Sequence, residues 1–399
     1  MLQQLLPVPL LVRLVILLSI ASGWTLCAFA GRWEPDGFHV FPGDKLQEAL
    51  DQAARNPTNK TVKVHAGLYR PDTQRQALLW FNQTHNGIKV EAVGEVTLTA
   101  ANPKLSDSGS SSHAAVVNHV VYFGDGISEN TVLQGFRITG ANHFVTTAPP
   151  EIETSRAFDR NLFFYSDGGA IKVFGRSYPT LRQLEIVDNY ASPCAGGISV
   201  QHRNEGNDSD QRAVSIENCV FLRNRSEITG AAVDLLPGSS AVISNCLFVG
   251  NLANQGSNYI SANAAQPEFT NSAPLTVFPG SRAVVQQSTF ANNRNGVEDL
   301  GRQSVYQNCI FWNNALGTAF YQGKRYGLNI AQRADVTGCI FGDPVLVPEG
   351  VISKSDNHFN GPDPKFDSWF NPADSAYKNA GFRLGKRASG FTYSPSQSP

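Results

Sequence analysis

Three ungapped sixteen-residue segments of this chain align with one another: 171–186 (IKVFGRSYPTLRQLEI), 233–248 (VDLLPGSSAVISNCLF) and 275–290 (LTVFPGSRAVVQQSTF). Each reads as a strand, a Gly or Pro-Gly turn and a second strand. The second strand recurs as NCVFLRN at 218–224, NCLFVGN at 245–251, QSTFANN at 287–293, NCIFWNN at 308–314 and GCIFGD at 338–343. Its anchors fall at Ile138, Ile186, Phe221, Phe248, Phe290, Phe311 and Phe341, and the shortest interval, 21 residues, sets the minimal unit. Longer intervals read as that unit plus loop insertions. A period of this size means a solenoid.

The strands alternate with period two, as in Val233 and Leu235 against Asp234 and Leu236, and no ten-residue helical pattern separates them. Helical and leucine-rich repeats are thereby excluded. Coils of strands stacked on copies of themselves place equivalent side chains about 4.8 Å apart. Cys219, Cys246, Cys309 and Cys339 then share one interior column with Ser288. Stacked side chains point in parallel rather than at each other, so buried, reduced thiols are expected. No paired CxxC spacing is present, and no metal or other cofactor is assigned. Asn189, Asn224, Asn251, Asn293 and Asn314, each three residues after an anchor, are expected at turns that tolerate left-handed backbone.

Composition agrees with this outline and narrows the partners. The 24 Phe against a single Met favour a repetitive, Phe-filled interior over Met-rich helical packing. Thirty-two Lys and Arg against 33 Asp and Glu leave a formal charge of −1, so no basic excess exists to neutralise a phosphate backbone and nucleic acid is not an expected partner. Residues 1–30 contain no acid, one Arg at Arg13, an apolar run at 14–18 and the small-residue tripeptide Ala28-Phe29-Ala30. This reads as a signal peptide cleaved near Gly31, giving a secreted or cell-surface protein that meets a membrane only if the segment is retained. The remaining Cys, with Cys194 as the fifth, are odd in number, which argues against a complete disulfide framework.

The N-C-x-F-x-x-N strands, with Gly-Gly-Ala-Ile at 168–171 and Gly-Gly-Ile-Ser at 196–199, resemble the right-handed parallel β-helix, or pectin-lyase-like, superfamily. Phe41-Pro42-Gly43-Asp44 followed by KLQEALDQAARN (45–56) and VKVHAGLYRP (62–71) is similar to the cap helix and first strand that open many members. Asp363-Pro364-Lys365-Phe366 with 375–381 (SAYKNAG) is similar to a closing segment common in secreted bacterial relatives. The resemblance implies an all-β solenoid with an N-terminal capping helix over 38–385, followed by a flexible tail at 386–399. It also implies a polysaccharide partner. The catalytic motifs of polygalacturonases and pectin methylesterases are absent, and the calcium-site acid cluster of pectate lyases is not recognisable.

Taking the Gly-Gly-Ala-Ile strand as one face, the outward position of successive coils is Lys172, Ser199, Asp234, Thr276 and Glu298. The links from Ile138 to Ile171 and from Phe248 to Leu275 are more than twice as long as that from Ile186 to Ile198, and a further insertion follows Gln201. Loops therefore flank this face, and long loops on a rigid scaffold are where function concentrates. Lys172, Asp234 and Glu298 are the candidate acid–base groups. Asp234 and Glu298, two rungs or about 9.6 Å apart, sit at the edge of the window for inverting hydrolysis. Arg160, Tyr165, Asp167, Ser199, His202 and Arg203 are the candidate substrate-binding groups, because aromatic rings beside cations suit sugar rings bearing anionic groups. Two classes stay open here: a polysaccharide lyase or glycoside hydrolase, and a non-catalytic surface or adhesion protein whose solenoid displays loops.

Overall fold

The structure is a computed structural model describing residues 31–72, 75–103, 115–142, 167–202, 212–254, 273–316, 325–346 and 356–383. Each repeat makes one turn of a three-faced coil. The coil that begins with Ile171–Phe174 on the first face continues through Thr180–Arg182 on the second and Glu185–Val187 on the third. The next returns through Ile198–Gln201, Val214–Glu217 and Val220–Leu222, each paired in parallel with its predecessor. The first face carries nine described strands, from Arg75–Phe81 to Val345–Leu346. The second and third faces join through the long strand Lys89–Thr99, whose two halves pair with Val132–Gln134 and Arg137–Thr139. With right-handed crossovers between parallel strands of one sheet, the chain is the right-handed parallel β-helix that the resemblance implied.

Register places like on like. Phe221, Phe248, Phe290, Phe311, Phe341 and Phe359 are consecutive partners on the third face. Their rings stack nearly parallel with centroids 4.3 to 5.4 Å apart. The thiols of Cys219, Cys246, Cys309 and Cys339 are buried and free, as the interior column required. Each points at main-chain carbonyls, such as Cys246 Sγ to Ile216 O at 3.5 Å.

The asparagines correct the sequence reading. The left-handed residues of the turn after the third face are Asp188, Arg223, Gly250, Asn292 and Asn313, one position earlier than expected. Asn189, Asn224, Asn251, Asn293 and Asn314 are buried and bond to one another: each Nδ2 donates to the next Oδ1 at 2.9 to 3.1 Å, and Asp343 accepts at the end. An amide carries both donor and acceptor at fixed separation, so a column of them satisfies itself rung by rung. The second left-handed position, between second and third faces, falls on the first residue of the N-C-x-F motif, as at Asn218, Asn245 and Asn308.

The helix Leu46–Arg55 closes the first coil, burying Leu46, Ala49, Leu50 and Ala53 along one stripe. At the other end the closing segment folds back over the third face. Phe382 packs with Val187, Val220, Leu222 and Leu247, and Arg383 N donates to Asn245 Oδ1 at 2.7 Å. Among the described residues no helix is long and apolar enough to cross a membrane.

Candidate functional site

The outward row of the first face is longer than the sequence showed. Rung by rung it reads Trp80, Tyr122, Lys172, Ser199, Asp234, Thr276, Glu298 and Asn329. Outward positions of an antiparallel sheet commonly face water, but this row does not: Lys172, Ser199 and Asp234 are wholly buried and Glu298 is 2 % exposed. Burying charge this deeply is costly unless the groups pair or neutralise. Both solutions are present.

Around Lys172 the solution is pairing. Its Nζ donates to Asp167 Oδ1 at 2.7 Å, to Ser199 Oγ at 3.2 Å and to Gln201 Oε1 at 2.9 Å. Ser199 Oγ donates in turn to Asp167 Oδ2 at 2.6 Å. Burial pushes both partners toward their neutral forms, the Asp167 carboxyl up and the Lys172 ammonium down, against the attraction between them. Asp167 is supplied by the turn five residues ahead of Lys172, beside Gly168, whose φ of +80° suits glycine. That turn is held from behind. His119 Nδ1 donates to Gly168 O at 2.9 Å, and the ring, lowered to about 3 by burial, stays neutral.

Around Asp234 the solution is neutralisation. Burial, with the nearby Asp167 charge, pushes its carboxyl up to about 8, so it holds a proton at neutral pH. Thr229 Oγ1, again five residues ahead, donates to Asp234 Oδ2 at 3.1 Å and also lies 3.2 Å from Cys194 Sγ. Asp234 Oδ1 is buried with no hydrogen-bond partner among the described residues. Gly230 makes room for this carboxyl: a Cβ there would come within 2.5 Å of Oδ1, and its φ is +59°. Glu298, two rungs on, is pushed up to about 7 by burial. The Tyr326 hydroxyl donates to Glu298 Oε2, and Asn329 Nδ2 lies 3.0 to 3.1 Å from both oxygens.

The structure therefore joins Lys172, Asp167 and Ser199 in one hydrogen-bonded cluster, with Asp234 on the next rung bonded to Thr229 and Glu298 further along the row held by its own partners. His202 lies apart, at the turn leaving the first face. There its Nε2 donates to Ser177 O at 2.9 Å, and its ring packs at 4.7 Å from that of Tyr178. Arg160, Tyr165 and Arg203 fall outside the described residues. Sequence reasoning missed Cys194 and Thr229, although the offset of five residues linking Asp167 to Lys172 also links them to Ser199 and Asp234. It missed Gln201, Tyr326, Asn329, Tyr122 and Trp80 as well. Asn329 was findable by sliding the strand LNI under VED. Trp80 and Tyr122 were not, because their strands are longer and depart from the repeat.

Trp80 ends the row beside a cavity of about 530 Å³ lined also by Lys45, Asp51, Leu68, Arg70 and Arg75. Its main chain is clamped by the cap helix: Gln47 Oε1 accepts from Trp80 N at 2.9 Å, and Gln47 Nε2 donates to Trp80 O at 3.2 Å. The row thus runs from a half-buried aromatic ring next to an open cavity to a buried group of ionisable side chains.

No family model and no curated protein sequence matches this chain. Among solved structures it is similar to the crystal structure of pectate lyase Pel9A, at 13% identity and a TM-score of 0.39, over 82% of this chain and 75% of that one.

Proposed function

We propose that this chain is an exported carbohydrate-active protein that binds extended polysaccharide along the first face and cleaves it by acid–base chemistry. The observation that carries the reading is the Asp167–Lys172–Ser199 cluster with Asp234 on the next rung, in which adjacent groups are driven to opposite protonation tasks. Burial lowers the Lys172 ammonium toward a base, and Asp234 retains a proton to give. Pairs whose environments separate them in this way make an acid and a base on one fold. In elimination, Lys172 passes a proton to Asp167 and, as the neutral amine, takes the proton next to the sugar carboxylate, while Asp234 protonates the departing glycosidic oxygen. Asp167 and Ser199 orient the Lys172 amine. Trp80 offers a ring on which a sugar stacks at the end of the row.

Incubating the purified chain with uronate-containing and neutral polysaccharides tests this, reading unsaturated products by ultraviolet absorbance and new reducing ends separately. We expect unsaturated products from a uronate polymer and a loss of about 10²-fold or more in Asp234→Asn. Reducing ends without absorbance would make it a hydrolase. Burial of the row from Tyr122 to Glu298 favours a second reading, in which the cluster is an internal strut of a non-catalytic display protein. No product from any polymer, with Asp234→Asn as well folded as the parent, would support that reading.

A further inference from the structure

A second group of chemically active side chains lies outside this row, at the first hairpin of the described chain. Arg32–Glu34 and Gly37–Val40 pair antiparallel, with Glu34 opposite Gly37 and Arg32 opposite His39, around the turn Pro35-Asp36. This brings His39 Nε2 to 2.8 Å from Asp36 Oδ1 and 3.6 Å from Glu34 Oε2. One donor atom from each of the three residues lies within 4.8 Å of the other two. Donors bound about 2.0–2.2 Å from a zinc ion stand roughly 3–3.5 Å apart, so these separations span the distances that neighbouring ligands adopt. Arg32 Nε engages Glu34 Oε1 at 2.8 Å and leaves Oε2 turned toward the histidine.

The histidine is oriented from behind. His39 Nδ1 lies 2.8 Å from Nε2 of His65, whose ring stacks on Phe41 at 4.3 Å. Nε2 of His39 is the ring nitrogen that faces the two carboxylates.

We propose that Glu34, Asp36 and His39 form a site for a divalent transition-metal ion of the zinc type, with His65 positioning the His39 ring. An imidazole nitrogen with two carboxylates suits such ions and leaves coordination positions for water. On binding, the metal takes the place at Nε2 of the proton shared with Asp36, and no redox change occurs. Because His65 belongs to Thr61–Tyr69 in the next coil, the ion also fastens the hairpin to the body of the solenoid.

The test is calorimetric titration of the chelator-stripped full chain with zinc chloride. One saturable site and a zinc-dependent rise in Tm are expected. Asp36→Asn, an exposed and nearly isosteric change, should weaken binding at least about tenfold with an unchanged circular dichroism spectrum. His65→Phe, which keeps a ring but removes the acceptor, should weaken it by about tenfold. Absence of a saturable site in the parent chain would overturn the proposal. So would binding that survives Asp36→Asn and His39→Ala but disappears on thiol alkylation, since the ion would then sit on the cysteines.

Discussion

The interior of the third face and the exterior of the first face are stacked by the same register, and they solve opposite problems. Inside, identical side chains repeat: phenyl on phenyl from Phe221 to Phe341, amide on amide from Asn189 to Asn314. Each rung then meets the same kind of partner above and below, and the amides give their second proton to main-chain carbonyls. Outside, Lys172, Ser199, Asp234, Thr276 and Glu298 are all different, and each is equally buried. There the partners come from the turn five residues ahead or from neighbouring rungs, and one oxygen, Asp234 Oδ1, is left without one among the described residues. Repetition gives stability that is spread along the solenoid. Its interruption concentrates buried charge, shifted protonation and an unpartnered polar atom among the described residues in a few rungs.

Mutations can break this contrast. Phe290→Ala removes a ring sandwiched between Phe248 and Phe311 and should cost about 3–5 kcal/mol of unfolding free energy. Denaturant unfolding would measure it, and a cost near that of a surface change would mean that the stack does not carry the core. Lys172→Met should cost a comparable amount, about 3–5 kcal/mol, by stranding Asp167. Unlike the phenylalanine loss, most of this cost should return when Asp167→Asn is added, because the charge that needed a partner is gone. If the double variant is no better than the single one, the cluster is held by packing and not by charge.

The most selective effect is pH-dependent. Asp234 has a folded pKa near 8 against an ordinary value of 3.8, so between those values the unfolded chain releases a proton that the folded chain keeps. Its contribution is fully present below pH 3.8 and is lost as pH rises toward 8, by at most about 1.4 kcal/mol per pH unit. His119, lowered from 6.5 to about 3, acts in the opposite sense, losing stability as pH falls through that range. Comparing Asp234→Asn with the parent isolates the first effect. The Tm of the variant should gain on that of the parent from pH 4 to pH 8, and a constant difference would show that Asp234 is ionised in the folded chain.

The coil, its period and the interior columns were legible because they repeat: a Phe or Cys every turn leaves its mark however long the intervening loop. The row was legible for the same reason, from Lys172 to Glu298. Its chemistry was not, since outward position suggested solvent and only the three-dimensional arrangement shows these groups buried. Asn189 and its successors were placed one position away from their actual role. The sequence displays an asparagine at a turn, but whether backbone or side chain uses it depends on the rung above. Trp80 and the Glu34–Asp36–His39 group lie in the first coils, where no repeat marks them.

By itself the sequence determined the solenoid, its register and which residues share a column, because stacking identical units converts spacing along the chain directly into position in space. Only the tertiary structure decided which outward groups touch, which are paired and which keep a proton. Those outcomes depend on burial and on the turns that reach back to the strands, and neither quantity is periodic.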